Sequence, residues 1–256
     1  MHPLRLSALA AIVALAGACS DSSTGPSLQP ADLGQVLAEL QPSSLAALNA
    51  QISAAPIAGL SAPVPSSCSY DAASKSFLCP NVAITGIEVT RSFTLLDASG
   101  NPQSQFDQAT TAAVRLKTTF AGNVASGGTT IAIDQQQDVT LSGLLTGVHT
   151  LDGTSLGHVN GSVANGTTTT PFTSTIATTI SSLVVPRATT GADRFPASGT
   201  IAVNTSTTLG ALPAFSQSAT ITFNGTSKAA VLITANGHTT TCTVDLAAEA
   251  AISCTA

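Results

Sequence analysis

Few side chains in this 256-residue chain have the types and spacing that chemistry requires. Gly153-Thr154-Ser155-Leu156-Gly157 has the G-x-S-x-G spacing. In that pattern a strand-to-helix turn exposes a serine hydroxyl beside an oxyanion hole. An acid and an imidazole follow in a workable order, Asp193 and His238. The residues after Ser155, His158-Val159-Asn160-Gly161, run into a hairpin signal and not a helix, and a chain with 20 glycines is expected to contain such a match by chance. His149, Asp152 and His158 lie within ten residues and could meet a metal across a hairpin, but no His-x-His or second carboxylate pair supports them. Asp134 and Asp138 bracket Gln135-Gln136-Gln137 and resemble an acid–base pair in spacing; solubilising charges on a polar strand are the plainer reading. Gly127-Gly128 and Asn165-Gly166 lack the Lys-Ser/Thr that a phosphate loop needs. The expectation is therefore no catalytic residue, no metal and no cofactor.

The stretch Leu15-Ala16-Gly17-Ala18-Cys19-Ser20-Asp21 carries a different chemistry. Arg5 supplies a cationic start, Leu6 to Ala16 an apolar run, and two small residues stand before Cys19. A membrane-spanning helix needs about 20 apolar residues, so this run is too short for one. Residues 1 to about 25 resemble the leader of bacterial lipoproteins, with a lipobox ending at Cys19, although Ala16 holds the place usually taken by leucine. The resemblance implies removal of residues 1–18 and capping of the Cys19 thiol with diacylglycerol, then acylation. The mature chain would be anchored to a membrane by those chains, and Ser20 in place of aspartate favours the outer membrane under the enterobacterial sorting rule.

Lipidation of Cys19 would leave four cysteines in an oxidising compartment, where disulfides are the default. Cys68 and Cys79 flank Asp71-Ala72-Ala73-Ser74, a turn-forming tetrad; Cys242 and Cys254 flank Leu246–Ala250 in the same way. The spacing predicts Cys68–Cys79 and Cys242–Cys254. Each would contribute about 3 kcal/mol by shrinking the unfolded ensemble. No C-x-x-C supports a metal instead.

Charge is scarce. Eight Lys and Arg, one of them Arg5 in the leader, stand against thirteen Asp and Glu. The acidic balance without basic clusters argues against nucleic acid as a partner. Charged residues make up 8% of the chain, so hydroxyls must wet its surface.

These residues need elements to hold them. Residues 19–29 are small and polar and read as a tether with a reach of about 17–19 Å. Over residues 30–55, Leu33, Val36, Leu37 and Leu40, then Leu45, Leu48 and Ile52, recur at helical spacing around Gln41-Pro42-Ser43. Two short amphipathic helices are expected, covering a face or end of a β core; docking a protein partner is the sharper alternative. Residues 56–67, with Pro56, Pro63 and Pro65, form a linker.

From residue 68 to 256 threonine crowds every segment, and aliphatic residues alternate. Ile87, Val89, Phe93 and Leu95 share one parity; so do Val114, Leu116 and Phe120, with Arg115 and Lys117 opposite. Ile131, Ile133, Val139 and Leu141 continue the pattern, as do Phe172, Ile176, Ile180 and Val184. Ile221 with Phe223, then Val231 with Ile233, repeat it. Asn160-Gly161, Asn165-Gly166, Asn224-Gly225 and Asn236-Gly237 read as hairpin turns. Ser99-Gly100-Asn101-Pro102 reads as another. The fold class is mainly β, an antiparallel meander of about ten strands curled as a half-barrel or sandwich. A transmembrane barrel is rejected, since no Trp and one Tyr cannot build aromatic girdles.

The leading functional expectation is a non-enzymatic, lipid-anchored envelope protein with a structural or surface-interaction role. The second is a module binding an apolar or acyl ligand in the concave face of the sheet, a layout similar to that of periplasmic lipoprotein carriers. A serine hydrolase using Ser155 is the distant third.

Overall fold

The computed structural model describes residues 67–84, 86–126, 129–165, 168–184, 195–235, 237–246 and 251–255. The leader, the tether, the two helices expected over 30–55 and most of the linker lie outside the described residues.

Fourteen strands form one open antiparallel sheet. They are β1 (Ser69–Asp71), β2 (Ser76–Leu78), β3 (Val82–Ile84), β4 (Ile87–Asp97), β5 (Pro102–Gln103), β6 (Thr111–Ser126) and β7 (Thr129–Ser142). β8 (Thr150–Asn165), β9 (Thr168–Val184), β10 (Ser198–Leu209), β11 (Phe215–Phe223), β12 (Lys228–Ala235), β13 (His238–Asp245) and β14 (Ala251–Thr255) follow. The spatial order is β1-β2-β4-β6 and then sequential to β14. β3, β2 and β5 pair in turn with β4 at Val89, Phe93 and Leu95, patching one edge while β6 takes the other. The ten strands expected correspond to β4, β6 and the eight that follow; the additional four span two or three residues each. The ladder is one continuous sheet, not two separately bonded ones.

Register gives the sheet a spine. Successive cross-strand partners run Phe77–Phe93–Leu116–Val139–Gly153–Ile180, then Ile201–Ile221–Val231–Cys242–Cys254. Phe93, Val139, Ile201, Ile221, Val231 and Cys242 in this row are at most 4% exposed. Stiff β-branched side chains fit a pleated surface, and each neighbour across a ladder adds a few tenths to one kcal/mol. A slip of one residue would turn a whole strand's apolar set to water. Both disulfides are present, Cys68–Cys79 and Cys242–Cys254, one at each end of the sheet. The first closes β1 on β2 across a turn in which Asp71 Oδ2 accepts from the Ser74 amide (2.8 Å) and hydroxyl (2.6 Å). The second joins residues directly opposite in β13 and β14.

Two expectations fail. Asn160-Gly161 is not a turn; it lies inside β8, paired to Ala132 and Ile131 on one side and Thr173 and Phe172 on the other. Strands on both edges satisfy its backbone, and the hairpin closes instead where Asn165 pairs with Thr168. At the junction of β12 and β13, Ala235 pairs with His238 and Gly237 stands at φ +79°, while Asn236 lies outside the described residues.

The second failure concerns Val184. Leu183, at 8% exposure, takes the buried place that alternation assigned to its neighbour. The ladder skips a residue here, from Leu151↔Leu183 to Gly153↔Ile180, and Ser182 stands at φ +48°. Such a bulge reverses parity beyond it. Asp152 Oδ1 accepts the Ser182 amide hydrogen at 2.6 Å on one side. On the other side Gly199, at φ +109°, lets the backbones meet; a Cβ there would lie 2.5 Å from Leu183 Cα.

Three variants test this account by urea denaturation. Phe93→Ala removes the centre of a buried cluster and should cost about 3–5 kcal/mol. Leu232→Ser, on the outward face at 49% exposure, should stay within about 0.5 kcal/mol of wild type. Gly199→Ala should lose about 2 kcal/mol or more, because a left-handed backbone and a close approach coincide.

Candidate functional site

Beside the apolar spine runs a polar row. Cross-strand partners place Arg91–Thr118–Gln137–Ser155–Thr178 in line on β4, β6, β7, β8 and β9. All five share the parity of the buried residues on their strands, so they belong to the inward face. The next row is Val89–Phe120–Gln135–Gly157–Ile176–Thr205. Gln135 Nε2 donates to Ser155 Oγ at 2.9 Å and links the two rows.

Arg91 is the unusual member. In the interior of the described strands it is the one charged side chain at an inward position. It stands between Val89 (1% exposed) and Phe93 (3%), next to Thr118 (5%). Its Nε is shut off from solvent and has no hydrogen-bond partner, and neither has the Thr205 hydroxyl. Arg91 as a whole is half-buried, so the cost falls on this one donor, a buried N–H left without an acceptor. Two further positions keep this region open. A Cβ at Gly157 would touch Gln135 at 3.6 Å and nothing nearer, and Ile176 is 38% exposed despite its inward parity.

The serine motif is explained by the strand that carries it. Gly153, Ser155 and Gly157 occupy successive inward positions of β8, and all lie in mid-strand. The sharp turn that a nucleophile elbow needs is not there. Ser155 holds an amide and not an imidazole; His158 points its Nδ1 to Thr175 Oγ1 (3.2 Å) on the opposite face. His238 stands five strands along the sheet, and Asp193 lies outside the described residues.

The metal candidates are dispersed. Asp152 and His158 are six residues apart on one extended strand, about 20 Å. Asp152 is engaged at the bulge, and His149 precedes β8. Among the described residues no three His, Cys, Asp or Glu side chains converge as metal ligands.

Asp134 and Asp138 both face outward and do not act together. Asp138 takes a two-pronged contact from Arg115, Nε to Oδ1 at 2.7 Å and a second nitrogen to Oδ2, with Lys117 Nζ 3.8 Å away. The Arg115 hydrogen bonds hold its carboxyl below the usual 3.8, desolvation opposes them, and the two cations add attraction. Asp134 lies opposite His158 in the ladder. Arg91 escaped sequence reading, and Gln137 was noticed only as part of the stretch between Asp134 and Asp138. The available signal was parity, since Arg91 interrupts the alternation from Ile87 to Leu95.

The Asp138 contact predicts a pH dependence. A lowered folded pKa means stability that is complete above the unfolded value and lost as pH falls through the folded one. Asp138→Asn should therefore be less stable than wild type at neutral pH, by at most about 1 kcal/mol for so exposed a pair. The two should converge in acid below the lowered value, as followed by thermal unfolding across pH. Comparison with protein-family models, with curated proteins and with solved structures finds no match, so the reading of the site rests on its geometry.

Proposed function

We propose that the chain is an exported, non-enzymatic lipoprotein of the bacterial envelope, anchored through Cys19, whose sheet serves a structural or surface-interaction role. The observation that carries this reading is the pair of disulfides, one at each end of the sheet. Such bonds persist in oxidising compartments and are rare in the cytosol. The outward face agrees with export: its strands meet through hydroxyls, as at Thr90–Thr119, Thr173–Thr208 and Thr234–Thr239, with few charges to attract a nucleic acid. Ser20 supports delivery to the outer membrane by the sorting rule. Against catalysis stands the engagement of Ser155 with Gln135.

A second reading has one observation in its favour. Ile176, Gly157 and their neighbours leave part of the inward face of β8 and β9 uncovered, which suits an apolar or acyl ligand.

Metabolic labelling with radioactive palmitate tests the anchor. The wild-type chain should carry label and sediment with membranes. Cys19→Ser should lose the label and appear in the soluble periplasmic fraction. A wild-type chain without label ends the proposal.

A further inference from the structure

We propose that β14 is the docking edge for a second copy of this chain, the two β14 strands pairing antiparallel about a two-fold axis centred on Ser253. The first argument is the contrast between the two edges of the sheet. At one edge β1, β3 and β5 span three, three and two residues, and Pro80 and Pro102 interrupt the run of backbone donors. Short pieces and prolines keep a foreign strand from pairing. At the other edge β14 runs five residues, Ala-Ile-Ser-Cys-Thr, with no proline and no charge. It pairs with β13 along its whole length, and among the described residues no strand lies on its far side. Ser253 and Cys254 are both exposed, which leaves the strand accessible.

The second argument is register. Ile252 stands opposite Val244 and Cys254 opposite Cys242, residues of β13 that are 1% and 2% exposed. Cys254 itself is exposed, so the inward row reaches the last strand and stops there unshielded. An antiparallel pair centred on Ser253 sets Ile252 of one copy opposite Cys254 of the other, and Ala251 opposite Thr255. All five residues are then paired, and the inward row continues from one sheet into the next. A slip of one residue would set inward positions against outward ones, so parity selects this register over its nearest neighbours. The same five residues serve both copies, as a closed two-fold contact requires.

The third argument is charge and size. A second copy brings no like charge into the contact, because Asp245, beside Ala251 in the ladder, is met by Lys228 at 3.4 Å. Ser253 meets its own counterpart on the outward side, in keeping with the hydroxyl pairs that join strands elsewhere, Thr234–Thr239 among them. A five-residue strand makes a small interface, below about 1,200 Å², the range of transient contacts whose occupancy rises with concentration. The contact requires neither a ligand nor the lipid anchor, so it stands apart from the envelope reading.

Oxidative cross-linking of Ser253→Cys in the full chain, held in detergent, tests the register. Directly opposite residues of an antiparallel pair have Cα atoms about 4.5–5.5 Å apart, within reach of a disulfide. At tens of micromolar, Ser253→Cys should give about tenfold more linked dimer than Thr222→Cys, an exposed outward position on β11. Peptide mapping verifies that Cys68–Cys79 and Cys242–Cys254 stay paired in both variants. Ser253→Lys sets two ammonium groups opposite each other and should weaken the wild-type dimer about fivefold in analytical ultracentrifugation. Equal linking of Ser253→Cys and Thr222→Cys overturns the proposal. So does a wild-type chain that stays monomeric at hundreds of micromolar, which would leave the edge to a strand of another protein. Growth past the dimer with rising concentration also overturns it, since a closed two-fold contact stops at two copies.

Discussion

The sheet depends on one constraint, the register that keeps a single apolar row facing inward from Phe77 to Cys254. Side chains alternate with a period of two, so each strand either contributes to the row or loses all its buried area at once. The row is aliphatic or aromatic from β2 to β12 except at β8, where Gly153 stands, and it ends in the Cys242–Cys254 disulfide. A Cβ there would come within 2.5 Å of the Asp138 carbonyl oxygen, so the glycine belongs to a close approach of β7 and β8. At the ends, where an open sheet would fray, disulfides replace missing neighbours. Cross-linking works there because it limits the unfolded chain, whatever the local burial.

Where the row cannot run straight, the backbone absorbs the misfit. At Ser182 one extra residue lets β9 keep both of its neighbours, and Asp152 and Gly199 make that possible from either side. Asp152 thus acts as backbone support, which is why its apparent company with His149 and His158 leads to no ligand set. Turn carboxylates serve similarly. Asp97 accepts the Ser99 and Asn101 amides at 2.8 Å each, and hydrogen bonds from Asn101 hold its carboxyl below the ordinary range. With so few charges in the chain, most of those on the described strands have a local task.

Arg91 has none within the described strands, and that sets it apart. The outward cations Arg115 and Lys117 share Asp138, and Lys228 meets Asp245 at 3.4 Å. This inward guanidinium stands between two apolar clusters, one around Phe93 and Leu95 and the other around Val89 and Phe120. Any occupant of the face must answer to that charge.

Strand identity, facing and disulfide pairing were legible in the sequence, because each is a local property. Alternation from Ile87 to Leu95 or from Val139 to Leu141 needs no partner to be read, and Cys68 and Cys79 flank their own turn. Tertiary structure decided what depends on neighbours. Asn160-Gly161 has turn chemistry, yet strands on both sides satisfy its backbone and keep it extended. Leu183 displaced Val184 because a bulge fixed by Asp152 and Gly199 reverses parity. Ser155 had the spacing of a nucleophile, but an elbow is a backbone shape, and β8 runs straight through it. The polar row from Arg91 to Thr178 joins residues up to 87 positions apart on five strands, and only their pairing assembles it.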